Sequence, residues 1–176
     1  MDSTLPIIYL SVLLVLLSGT GIAIFRQIFK TRRAEKVLSR LQKKLSQEKG
    51  TTQEYYELGS IYLDKKIYAQ AVAMFQKAIK AAQEEGEEKI SRIYNGLGFA
   101  YFAQEQYDIA IRQYKEAVKH DPQYATALNN LGHVYERKNL TAQALEAYEQ
   151  VLQAEPNNNT AKRRAESLRR RLVTSS

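Results

Sequence analysis

The chain has 176 residues, with 26 Lys and Arg against 19 Asp and Glu, a formal net charge of +7 and no cysteine. A length of this order fits about one domain, and 12 Tyr with 5 Phe supply apolar surface that a wholly disordered chain lacks. Without cysteine there is no disulfide, thiolate metal site or cysteine nucleophile, two histidines alone do not build a His-based metal site, and 3 Pro with 8 Gly do not fit collagen or a turn-rich β fold.

The charge is unevenly spread. Residues 1–25 carry only Asp2. Residues 26–49 carry 9 basic and 2 acidic side chains, residues 51–159 carry 11 and 15, and residues 160–176 carry 6 and 1. A mildly acidic body is thus flanked by two basic ends.

The first element is a predicted membrane anchor over 1–25. No residue from Ser3 to Phe25 is charged at neutral pH, and a bilayer core about 30 Å thick needs ~20 apolar residues as a helix. A cleaved signal peptide needs a basic start and a small-x-small cleavage site. Here the start is acidic and no such site follows, so an uncleaved span is expected. Arg26, Lys30, Arg32, Arg33 and Lys36 follow it. The positive-inside rule therefore places the N-terminus across the membrane and the body on the cytoplasmic or stromal side.

A basic juxtamembrane helix is predicted over 26–50. Val37, Leu38, Leu41 and Leu45 fall on one helical face and basic residues cover the rest. Two readings fit: a helix held on anionic lipid, or a solvated stalk whose apolar stripe packs on protein. Gly50 ends the pattern, and Thr51-x-x-Glu54 is a capping box that starts a new helix.

The body repeats itself. Tyr55-x-x-Leu58-Gly59-x-x-Tyr62 precedes Ala71-x-x-x-Phe75-x-x-Ala78. Tyr94-x-x-Leu97-Gly98-x-x-Tyr101 precedes Ala110-x-x-x-Tyr114-x-x-Ala117 and Pro122, and Leu128-x-x-Leu131-Gly132-x-x-Tyr135 precedes Ala144-x-x-x-Tyr148-x-x-Val151 and Pro156. In each copy the small residue lets a partner helix approach and the aromatic fills the remaining space. Three copies, at 51–84, 91–124 and 125–157, resemble the tetratricopeptide repeat, a helix-turn-helix unit of about 34 residues. Tyr or Leu stands where that family favours Trp, and the first copy lacks the closing Pro. Ala161, Ala165, Leu168 and Leu172 form the stripe of a predicted capping helix within 158–176. The expected fold is all-α: a transmembrane helix, a basic neck, three repeats and a cap. The extra residues around Gln83–Glu88 read as a longer helix pair with a solvated acidic turn.

Stacked repeats of this family expose their first helices on a concave face that holds protein segments. Projecting that face selects Gln53, Tyr56, Ser60 and Leu63; Arg92, Asn95, Phe99 and Phe102; and Thr126, Asn129, His133 and Arg137. The candidate protein-binding groove is Tyr56, Asn95, Phe99, Phe102, Asn129 and His133. Asn side chains suit an extended peptide backbone, and Phe99 with Phe102 suit apolar anchors. Family members that bind acidic chaperone tails use Lys, Asn and Arg at set groove positions. Here those positions read Tyr56, Ser60, Gly96, Thr126 and Asn130, so that cationic clamp is absent. No catalytic residue, cofactor site or metal site is expected. His120 closes a helix before Asp121-Pro122, where it would face the helix C-terminus. There is no Gly-rich phosphate loop. The basic ends flank a span and an acidic body, so nucleic acid is not an expected partner.

Beyond the repeats, the Pro6-Ile-Ile-Tyr-Leu10 span, the Phe25-Arg26-Gln27 exit, the Lys30-Thr-Arg-Arg33 neck and Glu54-Tyr-Tyr-Glu-Leu-Gly-Ser-Ile-Tyr-Leu-Asp64 resemble a small protein family of cyanobacteria and algal plastids. The resemblance implies a single-pass thylakoid protein with a luminal N-terminus and cytoplasmic or stromal repeats. It also implies a role in assembling or stabilising photosystem I, with photosystem I subunits or assembly factors as partners. With no transit peptide before the span, a cyanobacterial or plastid-encoded origin is expected. The competing expectation is a general tetratricopeptide scaffold or quality-control receptor at a bacterial plasma membrane.

Overall fold

The chain was analysed as a computed structural model, which describes residues 4–174 and builds them from eight helices, with no strand among the described residues. Asp2, the lone charge ahead of the apolar run, lies outside them. The chain divides into two units, Met1–Gln47 and Glu48–Ser176.

The first unit is one helix, α1 (Thr4–Gln47). No break separates the expected anchor over 1–25 from the expected neck over 26–50. Within α1, Ile8–Ile28 is a 21-residue stretch of mean hydropathy 2.3 with every residue exposed. Two of its hydroxyls bond to its own backbone: Ser11 Oγ donates to the Ile8 carbonyl at 2.8 Å, and Thr20 Oγ1 lies 3.0 Å from the carbonyls of Leu16 and Leu17.

The second unit holds α2 (Thr52–Asp64), α3 (Tyr68–Glu85), α4 (Ser91–Ala103), α5 (Tyr107–His120), α6 (Ala125–Arg137), α7 (Thr141–Ala154) and α8 (Asn159–Thr174). The capping box forms as expected. Thr51 Oγ1 accepts from the Glu54 N–H at 3.3 Å, and Glu54 Oε2 accepts from the Thr51 N–H at 3.1 Å. The helices pair as α2 with α3, α4 with α5 and α6 with α7, while α8 packs on α7.

What makes each pair close is a glycine facing a ring. A Cβ at Gly59 would lie 2.9 Å from the Phe75 ring, one at Gly98 2.8 Å from Tyr114, and one at Gly132 2.8 Å from Tyr148. Those three rings are among the largest fully or nearly fully buried side chains of the molecule. Ala71, Ala110 and Ala144 beside them are wholly buried. No side chain larger than hydrogen fits between helix and ring.

The turn inside each pair repeats as well. Lys66, Glu105 and Asn139 all adopt φ near +60°. The next N–H reaches back to the carbonyl five residues earlier: Ile67 to Tyr62 at 2.8 Å, Gln106 to Tyr101 at 3.0 Å and Leu140 to Tyr135 at 2.9 Å. These are Schellman closures, which satisfy helix-end carbonyls and reverse the chain. The extra residues of the first repeat lengthen α3 to 18 residues, against 14 in α5 and α7. Gly86 then ends α3 in the left-handed region, at φ +69°. The acidic residues there are not idle. Glu85 Oε1 accepts the Thr52 N–H at 3.0 Å, an orphan donor in the first turn of α2, and Glu84 pairs with Lys49.

Curvature follows from which helices touch. α4 contacts both α2 and α6, whereas α3, α5 and α7 make no comparable contacts among themselves. The first helices of the repeats therefore crowd together and form the inner face.

Replacing Gly98 by Leu should drive α4 from Tyr114 and cost about 1–3 kcal/mol as an overpacking change. Urea unfolding of residues 48–176 measures it; an unchanged midpoint would reject this packing register.

Candidate protein-binding face

The inner face consists of α2, α4 and α6 on the side away from α3, α5 and α7. All twelve projected positions reach its surface. Gln53, Arg92, Phe99, Thr126, His133 and Arg137 are exposed, and Tyr56, Ser60, Leu63, Asn95, Phe102 and Asn129 are half-buried. The opposite sides of the same helices are buried, through Leu58 and Gly59, Leu97 and Gly98, and Leu131 and Gly132.

The six candidate groove residues have different surroundings. His133 is exposed on α6, and Phe99 is 43% exposed on the middle helix. Phe102, one turn on, lies 5.0 Å from His133 and 5.5 Å from Tyr107, both tilted ring contacts. It joins α4, α5 and α6 and is a packing residue as much as a surface one. Although His133 reaches solvent, partial desolvation of its imidazole holds it below its ordinary value, against the opposing pull of Glu136 and with help from Arg164 and Arg137. A neutral ring therefore faces Phe102 at pH 7. Tyr56 lies 6.0 Å from Phe75, on the edge of the first repeat's core.

The amides are partly spent on the array itself. Asn130 Nδ2 donates to Asn95 Oδ1 at 2.9 Å, a polar tie between consecutive first helices. Asn129 Oδ1 is enclosed and accepts no hydrogen bond in this structure. Arg137 donates to the Tyr107 hydroxyl at 3.1 Å and lies over its ring.

Two contributors escaped the sequence reading. Tyr107 opens α5, outside the projected face, yet it touches Phe102 and holds Arg137. Gly96 makes room for the preceding repeat: a Cβ there would lie 2.7 Å from the Phe75 ring. A readable signal for it exists, because only the second copy places glycine two residues before the repeat glycine. Gly96 also occupies one of the clamp positions of tail-binding relatives, and here that space is filled by Phe75. At two others, Ser60 Oγ donates to the Tyr56 carbonyl at 2.9 Å and Asn130 is tied to Asn95.

Around the helix starts a cleft of about 780 Å³ opens, lined by residues including Thr51, Tyr56, Glu85, Arg92, His120 and Asp121. Among the described residues no group of three or more His, Cys, Asp or Glu is placed to hold a metal ion.

A curved helical array with a solvent-open face of mixed aromatic, amide and basic side chains defines a repeat protein of the protein-interaction class. Tetratricopeptide-repeat signatures match residues 55–85, 98–139 and 125–158. Protein ycf37 of Guillardia theta is 34% identical over 173 residues, covering 98% of this chain and 97% of that one. The chloroplastic tetratricopeptide repeat domain-containing protein PYG7 of Arabidopsis thaliana is 36% identical over 168 residues, covering 94% of this chain and 56% of that longer one. Among solved structures, MamA superposes with a TM-score of 0.70 at 22% identity, covering 79% of this chain and 80% of that one. The chain belongs to the tetratricopeptide-repeat family and, within it, to the family of protein ycf37.

The two phenylalanines should separate on mutation. Phe99→Ala should change stability by less than about 0.5 kcal/mol, as exposed sites do. Phe102→Ala should cost about 1–3 kcal/mol, below the range for a fully buried ring because it is half-buried. Equal unfolding midpoints for the two variants would contradict the placement of Phe102.

Proposed function

We propose that this chain is a thylakoid-anchored platform that captures a photosystem I subunit or assembly factor on the inner face of its repeats. The observation that carries this reading is the open face itself, with Phe99 43% exposed at its middle. Exposed aromatics at the centre of an interface commonly dominate its energy. The likeness of the whole chain, span and neck included, to a cyanobacterial and algal-plastid family supports photosystem I as the client. The chloroplastic relative supports the compartment.

Membrane anchoring is supported by Ile8–Ile28, which is long and apolar enough to cross a bilayer and keeps the Ser11 and Thr20 hydroxyls hydrogen-bonded to its own backbone. The 19 residues of α1 beyond Ile28 continue the same helix. At 1.5 Å per residue they are about 28 Å long. The basic residues after the span favour a luminal N-terminus and stromal or cytoplasmic repeats.

Affinity capture from solubilised thylakoids tests the reading. Photosystem I subunits should co-purify with the parent. Phe99→Ala should weaken capture at least about tenfold, equivalent to 1.4 kcal/mol. Replacing Lys80 and Lys115, exposed on α3 and α5, by Ala should leave capture unchanged. Lys77 is not a suitable control, because its ammonium lies over the Tyr55 ring. Secretion or envelope proteins in place of photosystem I subunits would overturn the client, and undiminished capture by the Phe99 variant would overturn the inner face. Protease applied from the stromal or cytoplasmic side should digest the repeats; digestion only from the lumen would reverse the topology.

A further inference from the structure

We propose that the outward face of α8 is a contact surface for anionic lipid headgroups. α8 carries Lys162, Arg163, Arg164, Arg169, Arg170 and Arg171 against a single acid, Glu166. Its apolar stripe of Ala161, Ala165 and Leu168 is no more than 1% exposed, and α8 packs on α7. At 3.6 residues per turn, Arg163 and Arg170 fall opposite that stripe. Lys162 and Arg169 fall on one flank, and Arg164 and Arg171 on the other. All six are exposed.

The flanks are partly engaged by the repeats. Arg169 donates to Glu149 Oε1 at 2.7 and 3.2 Å, and Arg164 lies 3.5 Å from Glu136 Oε2. Those pairs neutralise the side chains nearest the seam. The back of the helix presents the charges of Arg163, whose Nε donates to the Asn159 carbonyl at 3.3 Å, and Arg170, with Glu166 and no large apolar residue beside them. A face of this kind lacks the pocket or apolar anchor that a peptide needs. It suits a flat, multivalent anion. The body it caps, residues 51–159, carries 15 acidic against 11 basic side chains, so α8 is the part of the repeat unit that an anionic surface would attract. Choosing lipid rests on the proposed span. A chain anchored in a bilayer is held beside headgroups at an effective concentration that makes a weak electrostatic contact useful.

The test uses the full chain. Because it contains no cysteine, Val173→Cys gives a single labelling site on α8, at a side chain 76% exposed. The labelled chain is reconstituted into vesicles of phosphatidylcholine, or of phosphatidylcholine with about one-third phosphatidylglycerol, an anionic lipid of the kind that attracts basic segments. Both carry a headgroup nitroxide quencher. Quenching should be at least twofold greater on the anionic vesicles. It should vanish in 1 M salt, where the Debye length falls to about 3 Å. Arg163→Glu with Arg170→Glu should reduce it to the level on neutral vesicles, with helix content unchanged. Arg163→Gln with Arg170→Gln gives the same comparison should the reversal disturb folding. Equal quenching on both vesicle types, or quenching indifferent to these substitutions, would overturn the α8 surface. Failure of the chain to float with neutral vesicles would instead overturn the span, and quenching on anionic vesicles would still judge α8.

Discussion

The contact between a helix-borne glycine and a buried ring is the constraint on which the repeat unit depends. Gly59 with Phe75, Gly98 with Tyr114 and Gly132 with Tyr148 set how near the two helices of each pair approach. Glycine in a helix interior costs roughly 1 kcal/mol relative to alanine. That cost is offset by burying a whole aromatic side chain at van der Waals contact with backbone. Burial has an electrostatic signature, since loss of solvent pushes the Tyr114 and Tyr148 hydroxyls well above the ordinary phenol range. Tyr148 also donates to Glu136 at 2.8 Å, and the same carboxylate meets Arg164 of the capping helix. The third ring therefore connects the last repeat to its cap as well as filling its own pair.

Close approach within pairs has a consequence between them. Once α3, α5 and α7 stand on the outer side, α2, α4 and α6 are left to meet each other directly. Two side-chain contacts join α4 to α6, Asn130 donating to Asn95 and Phe102 against His133, while Gly96 of α4 admits the Phe75 ring of α3 from the preceding repeat. The same side chains that lie on the inner face thus also hold adjacent repeats in register. A surface built this way is pre-shaped, because few of its residues can move without loosening the array. Phe99 is the large apolar side chain that this face leaves most open to solvent, at 43% exposure.

Much of this was legible in the sequence, and the limits are physical. The glycine-aromatic pairs, the capping box and the three-repeat register are local or strictly periodic signals, so one chain suffices to read them. The inner-face positions follow from helical geometry alone. The role of Phe102 does not, because its neighbours Tyr107 and His133 sit on other helices, five and thirty-one residues away in sequence. Asn95 looked like a free amide for the same reason: Asn130, which occupies its carbonyl, belongs to the next repeat. The helical character of the neck was legible from its apolar spacing, and α1 runs unbroken through the change from apolar to basic composition near residue 25, because composition reports the surrounding medium and helix formation does not require that medium to be uniform.

The proposed anchoring and a modest inner face make sense together. The face offers one exposed phenylalanine, a few amides and two arginines, Arg92 and Arg137, the latter already leaning on Tyr107. It has no deep apolar pocket and no bidentate clamp, so contacts of this kind give weak binding in free solution. Confinement to a membrane changes the arithmetic. When client and platform share a bilayer, the second encounter is effectively intramolecular, and linkage alone can raise apparent affinity by about 10²–10⁴ without any new contact. Under the proposed function, such a face would capture its client while both are in the membrane and would release it once the client's own surfaces are buried by its neighbours. On this view the absence of a clamp is a property suited to transient assembly work. A tighter groove would compete with the finished complex for the same surfaces.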